Sequence, residues 1–425
     1  MRRESKVFYK IDWLLVCLYL SLVIFGWMNI FAASIDNAVD FQLLDLSTEY
    51  GKQFIFIGLS GILILIVLLL DTKFIEQFSS LIYLISLASL AGLFLFGKNI
   101  NGATSWYSLG SFTLQPSEFA KMATALALAR LISDKQFDLR IFQNQLKALL
   151  LISIPAVLII LQPDPGSALV YASFFFVFYR EGLPGYYIWI GLLAIGLFIL
   201  TLIFQFKAVV IGVYALLSIS LLYIQFFTKY SLRFQFPKIL GIYLMLGIWV
   251  GSVSYVYNNV FEQRHRDRFS ILLGQNKDTQ GIGYNTNQSV LTISSGGAFG
   301  KGFMNGDRTQ GNFVPEQSTD YIFSTIGEEW GFLGTASVVF LWILFLLRIV
   351  YTAEKQRSDF TRIYGYSIAC IFFFHFFINI GMVIGLLPTV GIPLPFFSYG
   401  GSALWGFTLL LFIYIKLDAA KDTVW

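Results

Sequence analysis

Charge is what this chain has least of. Of its 425 residues only 25 are acidic and 29 basic, so charged residues make up 13% against 56% hydrophobic, and mean hydropathy is +0.70. A soluble domain carries about 25% charged residues, which excludes a soluble globular fold. Cysteine is nearly absent. Cys17 and Cys370 both fall inside apolar runs, where they read as reduced packing residues, so no disulfide framework is implied. The short alternating segments of a transmembrane β-barrel are missing too. A net charge of +4, spread over short loops, leaves no footprint for nucleic acid.

What the chain does have is apolar runs of about 20 residues, the length a helix needs to cross a bilayer. Its 44 Phe and 22 Tyr suit lipid-facing surfaces and interfacial belts. The pattern predicts twelve helices, beginning near Trp13, Phe54, Leu81, Pro116, Leu149, Ala168, Tyr187, Val209, Ile239, Ile322, Arg362 and Ser402. The run from Trp13 to Ala33 follows the basic start MRRESKVFYK and exceeds a signal-peptide core, so it is expected to stay uncleaved. The pair near Tyr187 and Val209 is separated by little more than QFK at 205–207, which suits a tight hairpin or one long bent helix.

Orientation follows from the basic residues of the short loops. One side collects Arg2, Arg3, Lys6, Lys10, Arg130, Lys135, Arg140 and Lys147, and further along Lys229, Arg233, Arg348, Lys355, Lys416 and Lys421. The opposite short loops hold only Lys52, Lys98 and Lys207. Both termini are thereby expected in the cytoplasm. The expected fold is an all-α polytopic membrane protein, a single membrane domain over residues 1–425, with one large extracytoplasmic loop at 258–320.

Four constellations place polar groups where a membrane makes them expensive. In NGATSWYSLGSFTLQPSEFAK (101–121), Pro116 suits a first helical turn. Glu118 and Lys121 are three apart on one face. They form either a structural ion pair or the lining of a cavity toward the outer leaflet. In LQPDPGSAL (161–169), Asp164 either caps the next helix or serves a substrate or cation. The long loop holds KDTQGIGYNTNQS (277–289), with Asp278 between Lys277 and a Gly-x-Gly turn that permits close backbone approach. It also holds the glycine cluster SSGGAFGKG (294–302), whose amides could form anion-binding hollows. FVPEQSTDYIFSTIGEEWG then carries Glu316, Asp320, Glu328 and Glu329 into the tenth span. Finally, LLPTVGIPLPFFSYGGSALW (386–405) has three prolines and a double glycine among aromatics around Ser398. It reads as a re-entrant or unwound segment, tolerated only inside protein or beside a wet cavity.

Taken in order, these segments resemble the SEDS family of cell-wall polymerases, which includes RodA and FtsW. The shared patterns are NGA-x-x-W, QPSE-x-K, QPD-x-G, D-x-x-G-x-GY-x-x-x-QS, PE-x-x-TD-Y-IF with G-EE-x-G, and GLLP-x-x-G-I-PLPF-x-SYGGS. They run from Asn101 to Ser402. The resemblance implies a peptidoglycan glycosyltransferase acting on lipid II, with undecaprenyl pyrophosphate leaving, a class B penicillin-binding protein as partner, and residence in the bacterial inner membrane. It implies Asp278 as base, since a sugar hydroxyl must lose its proton as it attacks the anomeric carbon. Lys277, Arg268, Lys301 and Arg308 are candidates to stabilise the departing pyrophosphate. Trp106 matches a tryptophan tied to activity, and Glu118, Lys121 and Asp164 match cavity-lining residues.

The departures are local. Thr104 and Ser105 stand where many members carry basic residues, DPG at 164–166 replaces DLG, and Thr279 replaces Pro. Members usually have ten spans with seven before the large loop. Nine precede it here, and the excess falls at 186–228 as an inserted hairpin. Short tails and SSGG favour the RodA-type elongation role over the FtsW-type division role. A lipid II flippase is the rival from another class, as is a non-catalytic scaffold. No cofactor motif is present, though a divalent cation near the pyrophosphate is compatible with the chemistry.

Overall fold

A computed structural model describes residues 10–34, 43–100, 102–110, 112–204, 206–227, 236–260, 263–272 and 283–421. The protein is predominantly helical and forms two compact units, Met1–Leu183 with Asn285–Trp425, and Pro184–Tyr284.

The first unit contains α1 (Trp13–Ser34), α2 (Glu49–Leu69), α3 (Thr72–Phe96), α4 (Pro116–Ile132), α5 (Phe142–Ile160), α6 (Pro165–Leu169) and α7 (Phe174–Arg180). After the second unit it resumes with α12 (Tyr284–Ser295, from its second residue), α13 (Asp307–Gln310), α14 (Ile322–Glu354), α15 (Asp359–Val383) and α16 (Gly401–Ala419). Lipid offers backbone groups no water, so every span must close its own hydrogen bonds as a helix. The core lies on α15, α16 and α4. The apolar window of α15 is 67% buried and that of α16 is 83% buried, against 28% for α2 and 22% for α3.

Ten of the helices among the described residues are long and apolar enough to cross a membrane. The other two predicted spans differ in kind. The helix α4 has 17 residues, and nearly all of them are buried, including Glu118 and Lys121. The stretch from Pro165 to Arg180 is broken into α6, a 3-10 turn (Val170–Ser173) and α7. The all-α expectation also missed a small antiparallel sheet of β1 (Lys98–Ile100), β2 (Ala103–Leu109) and β3 (Phe112–Leu114). Trp106 pairs with Lys98, and Tyr107 with Leu114. The three-residue strands β1 and β3 are too short to display a period-two pattern, and ATSWYSL of β2 does not alternate strictly.

The re-entrant reading of 386–400 is met by a segment without helix between α15 and α16. Its Phe396 adopts φ 69° and enters an aromatic core, stacked on Trp342 at 6.0 Å and packed on Phe345, Phe372 and Phe407. A side chain holds that left-handed backbone only where its surroundings over-determine it. Opposite, α1 crosses the segment at Gly26, where a Cβ would sit 2.5 Å from the Phe396 carbonyl oxygen. Small residues let membrane backbones approach in this way.

The second unit contains α8 (Tyr186–Ile203), α9 (Phe206–Phe227), α10 (Phe236–Tyr255), a π-helical turn (Val256–Val260) and α11 (Gln263–Leu272). The backbone turns extended at Phe204, so α8 and α9 are separate helices rather than one long bent one. Neutral hydrogen bonds join α8, α9 and α10. The Tyr214 hydroxyl donates to the Tyr243 carbonyl (3.0 Å), Ser218 and Tyr243 share hydroxyls (2.7 Å), and the Trp249 indole donates to the Ala194 carbonyl (3.3 Å).

Candidate functional site

Among the described residues, the motif segments at 102–121, 161–169, 285–289, 315–331 and 385–402 are scattered along the sequence but belong to the first unit. Pro116 occupies the first turn of α4, where its missing amide costs nothing. The preceding Gln115 donates its backbone N–H to Ser402 Oγ (3.1 Å), and Ser402 donates in turn to the Thr113 carbonyl (3.0 Å). The Gln115 side chain donates to Asp164 Oδ2 (3.1 Å) while Asp164 Oδ1 caps α6 through the Ser167 amide (3.0 Å). Capping is therefore one role of Asp164, and holding Gln115 is a second. Ser105 Oγ and the Thr104 amide both donate to the Gln162 carbonyl, so the strand carrying half-buried Trp106 is tied to the turn carrying Asp164.

One turn into α4 lies a buried ionic cluster. Lys121 Nζ donates to both carboxylate oxygens of Glu118 (2.8 Å each) and meets His375 Nε2 at 2.9 Å. None of the three side chains' residues is more than 3% exposed. Desolvating two ions costs several kcal/mol each, offset only when geometry and extra hydrogen bonds are good. Here every N–H of the ammonium is used. The pair is buried, and through His375 it ties α4 to α15.

The unwound 386–400 segment is bonded to the PEQSTD segment at 315–320. Ser398 Oγ donates to the Thr319 carbonyl (2.6 Å) and accepts the Leu394 amide (2.8 Å), and the Tyr399 amide donates to the Ser318 carbonyl (2.8 Å). Asn379 of α15 donates to the carbonyls of both Asp320 (2.8 Å) and Ile392 (2.7 Å). Asp320 is half-buried, and its Oδ2 faces the α-carbon of Gly391. Glu316 is exposed, with φ 54°, and its carboxylate accepts from Thr319 Oγ1 (3.1 Å).

A second node forms where α14 breaks. Gly331 has φ 64° and ψ −161°, so two helices meet there. The glycine cluster at 294–302 supplies the missing partners. Lys301 and Gly302 amides donate to the carbonyls of Glu328 and Glu329 (3.0 Å each), and the Phe332 amide donates to the Gly297 carbonyl (2.9 Å). A Cβ on Gly300 would lie 2.1 Å from the Glu329 carbonyl oxygen. These glycines permit close approach to α14, and the amides of 301 and 302 are directed at its carbonyls rather than into an anion-binding hollow.

Fully buried Glu328 gathers five donors: Lys301 Nζ (2.7 Å), Ser295 Oγ (3.2 Å), the Arg308 amide (3.1 Å), and Thr309 through its amide and hydroxyl (2.7 Å each). The hydrogen bond to Glu328, and then that to Asp307, hold the Lys301 ammonium above its ordinary pKa. Arg308 donates to Thr292 Oγ1 (3.0 Å) and to Gln288 of the GY-x-x-x-QS motif, and its guanidinium lies 5.0 Å from the Phe313 ring centroid. Ser289 of that motif donates to the Val383 carbonyl (2.8 Å). Lys301 and Arg308 thus bind the loop to itself and to α14.

Asp278 and Lys277 lie outside the described residues, and Arg268 lies on α11. The sequence reading passed over His375, Asn379 and Gln115. A signal existed for the first, because an ionisable side chain within an apolar span is a functional candidate by default.

Comparison with known proteins follows the same lines. A family profile described as cell cycle protein, for FtsW, RodA and SpoVE, matches residues 12–211 and 192–422. The two matches overlap inside the second unit. Peptidoglycan glycosyltransferase RodA of Treponema pallidum is 31% identical over 436 residues, covering 96% of this chain and 98% of that protein. Peptidoglycan glycosyltransferase MrdB of Escherichia coli K12 is 32% identical over 346 residues, covering 81% and 79%. Among solved structures, a chain of a peptidoglycan synthase complex that coordinates polymerization and crosslinking superposes with TM-score 0.71 at 25% identity, covering 97% and 99%. Thermus thermophilus rod shape determining protein RodA shares the fold, with TM-score 0.61 at 24% identity over 97% of each chain. With nearly its whole length matched, this multi-pass membrane protein belongs to the FtsW/RodA/SpoVE family, also called SEDS.

Proposed function

We propose that this protein is a peptidoglycan glycosyltransferase of the RodA type, polymerising lipid II during cell elongation. The observation that carries the reading is a pair of polar nodes built from the motif segments within an apolar protein, one bonding Gln115 to Asp164 and Ser402 and the other bonding Ser398 to Thr319. Near full-length identity to proteins named for this activity supports it.

In this reading Asp278 takes the proton of the acceptor hydroxyl as the oxygen bonds to the anomeric carbon. The carbon–oxygen bond to undecaprenyl pyrophosphate breaks in the same displacement, giving a β-1,4 link with inversion. Lys277, Lys301, Arg308 and Arg268 are the cations available to offset charge on the departing pyrophosphate. Trp106, Glu118, Lys121, Asp164, Glu316, Asp320 and Ser398 shape the ground on which lipid II is held. Both termini are cytoplasmic and the 258–320 loop faces outward from the inner membrane, where long loops are exempt from the charge rule. The partner is a class B penicillin-binding protein, in keeping with the synthase complex that this fold matches. Residues 186–228 form a hairpin inserted into the family's ten-span plan. Turnover lost on chelation would add a divalent cation at the pyrophosphate.

The test is polymerisation of lipid II by purified protein, with and without the partner. Asp278→Asn should lower turnover by about 10²–10⁴-fold, the usual contribution of a general base, while the protein folds normally. A variant that polymerises at the wild-type rate would remove Asp278 from the chemistry. Wild-type protein that moves lipid II between leaflets and makes no glycan would be a flippase instead. Division-specific rescue, without rescue of elongation, would point to the FtsW role.

A further inference from the structure

The buried cluster on α4 has a third member whose role follows from proton counting. An ammonium donates and never accepts, and it has three N–H groups. Lys121 directs two at Glu118 Oε1 and Oε2 and the third at His375 Nε2, at 2.8, 2.8 and 2.9 Å. His375 Nε2 must therefore accept, which assigns the ring proton to Nδ1 of a neutral imidazole. Nδ1 faces the Pro393 carbonyl at 3.3 Å, in the unwound segment. One turn further along α15, Asn379 holds the adjacent Ile392 carbonyl and that of Asp320. Phe407 closes the cluster, its ring 4.8 Å from the imidazole and 5.1 Å from Lys121 Nζ.

We infer that His375 is a positioning residue. It fixes Lys121 against Glu118 at the start of α4 and joins that pair to the 386–400 segment beside Asp320 and Ser398. This rests on the glycosyltransferase reading above. Removing His375 frees one N–H of a buried ammonium and one carbonyl of a segment that has no helix to satisfy it, so both ends of the site lose their register.

The two ring nitrogens can be removed separately. In His375→Asn the amide replaces Nδ1 at Pro393 but falls short of Lys121. In His375→Gln the longer arm reaches Lys121. His375→Leu removes both. Lipid II polymerisation by the full-length protein with its partner should show kcat for His375→Leu and His375→Asn reduced about 100-fold, the scale of a displacement of about 1 Å at a site. KM for lipid II should stay within about threefold, and His375→Gln, which restores the Lys121 contact but not that to Pro393, should recover part of the rate. In a Lys121→Met background, His375→Leu should cost less than about twofold more, since residues acting through one another are non-additive.

Equal losses in both Lys121 backgrounds would overturn the inference, as would a wild-type rate in His375→Leu. Should the Leu variant fail to fold, Asn against Gln decides, and equal rates for those two would overturn it. Wild-type protein that makes no glycan defeats the glycosyltransferase reading. An active wild type whose His375 variants match it defeats this inference alone.

Discussion

The two units solve the same problem, surviving in lipid, in opposite ways. In the second, the apolar windows of α8, α9 and the α10 region are only 6%, 6% and 11% buried, and their cross-links are neutral hydroxyl, indole and carbonyl groups. In the first, α15 and α16 are 67% and 83% buried, and the interior holds Glu118, Lys121, His375, Glu328 and Glu329. Neutral bonds suffice to hold apolar helices side by side. Among the described residues, two of the buried ionic clusters stand beside breaks in helical geometry, Glu118–Lys121–His375 next to 386–400 and Glu328–Lys301 next to Gly331. There they hold non-helical segments still.

The most severe way to break that contrast is to take one ion from a pair. Lys121→Met leaves Glu118 buried without a cation and should cost about 3–5 kcal/mol, read as a large drop in thermal unfolding temperature in detergent. The paired change Glu118→Leu with Lys121→Met should recover much of that loss, because an apolar pair of similar volume replaces a buried ion pair at little cost. If the double variant is as unstable as the sum of its parts, the cluster does more than lock two helices.

Much of this arrangement was legible in the sequence, and the reasons for the rest are physical. Hydropathy located the helices, because lipid imposes length and composition on a span. Pro116 and the 386–400 prolines advertised a helix start and an unwound segment, because proline is costly inside a helix. What stayed hidden were pairings across distance. His375 lies 254 positions from Lys121, and no local pattern links them. The glycines at 294–302 read as a hollow for anions, since glycine signals close backbone approach without naming what approaches. The small sheet stayed hidden because two of its strands have three residues and the third, ATSWYSL, lacks strict alternation.

Glu328 and Glu329 give a smaller and sharper test, since they are neighbours in sequence with opposite surroundings. Glu328 accepts from Lys301, Ser295, Arg308 and Thr309, whereas neither oxygen of buried Glu329 has a hydrogen-bond partner of good geometry among the described residues. Glu328→Gln should destabilise by about 2–3 kcal/mol through lost charge-assisted bonds, loosening the 295–310 loop from α14. Glu329→Gln should change stability by less than about 1 kcal/mol, having no such bond to lose. Hydrogen exchange of the 295–310 amides separates the two. The linkage runs in one direction. Because Lys301 is held above its ordinary value of 10.5, its contribution persists through neutral pH and is lost only as pH rises through that elevated value. Loop protection that vanished between pH 7 and 9 would place its anchor elsewhere.

The smallest effects belong to the second unit. Tyr214→Phe removes a hydroxyl that donates to the Tyr243 carbonyl, and Ser218→Ala removes the partner of the Tyr243 hydroxyl. Interhelical hydrogen bonds in membranes average about 0.6 kcal/mol, because the separated helices also find partners. Each change should therefore shift unfolding by no more than that, and polymerisation should hold near the wild-type rate. The double variant is the informative one. If the α9–α10 bonds only align neighbouring helices, the two small losses add and turnover is untouched. If turnover falls well beyond the loss in stability, the neutral bonds between α9 and α10 are steering the loop that follows α10, and ions are not this protein's only means of holding its site in place.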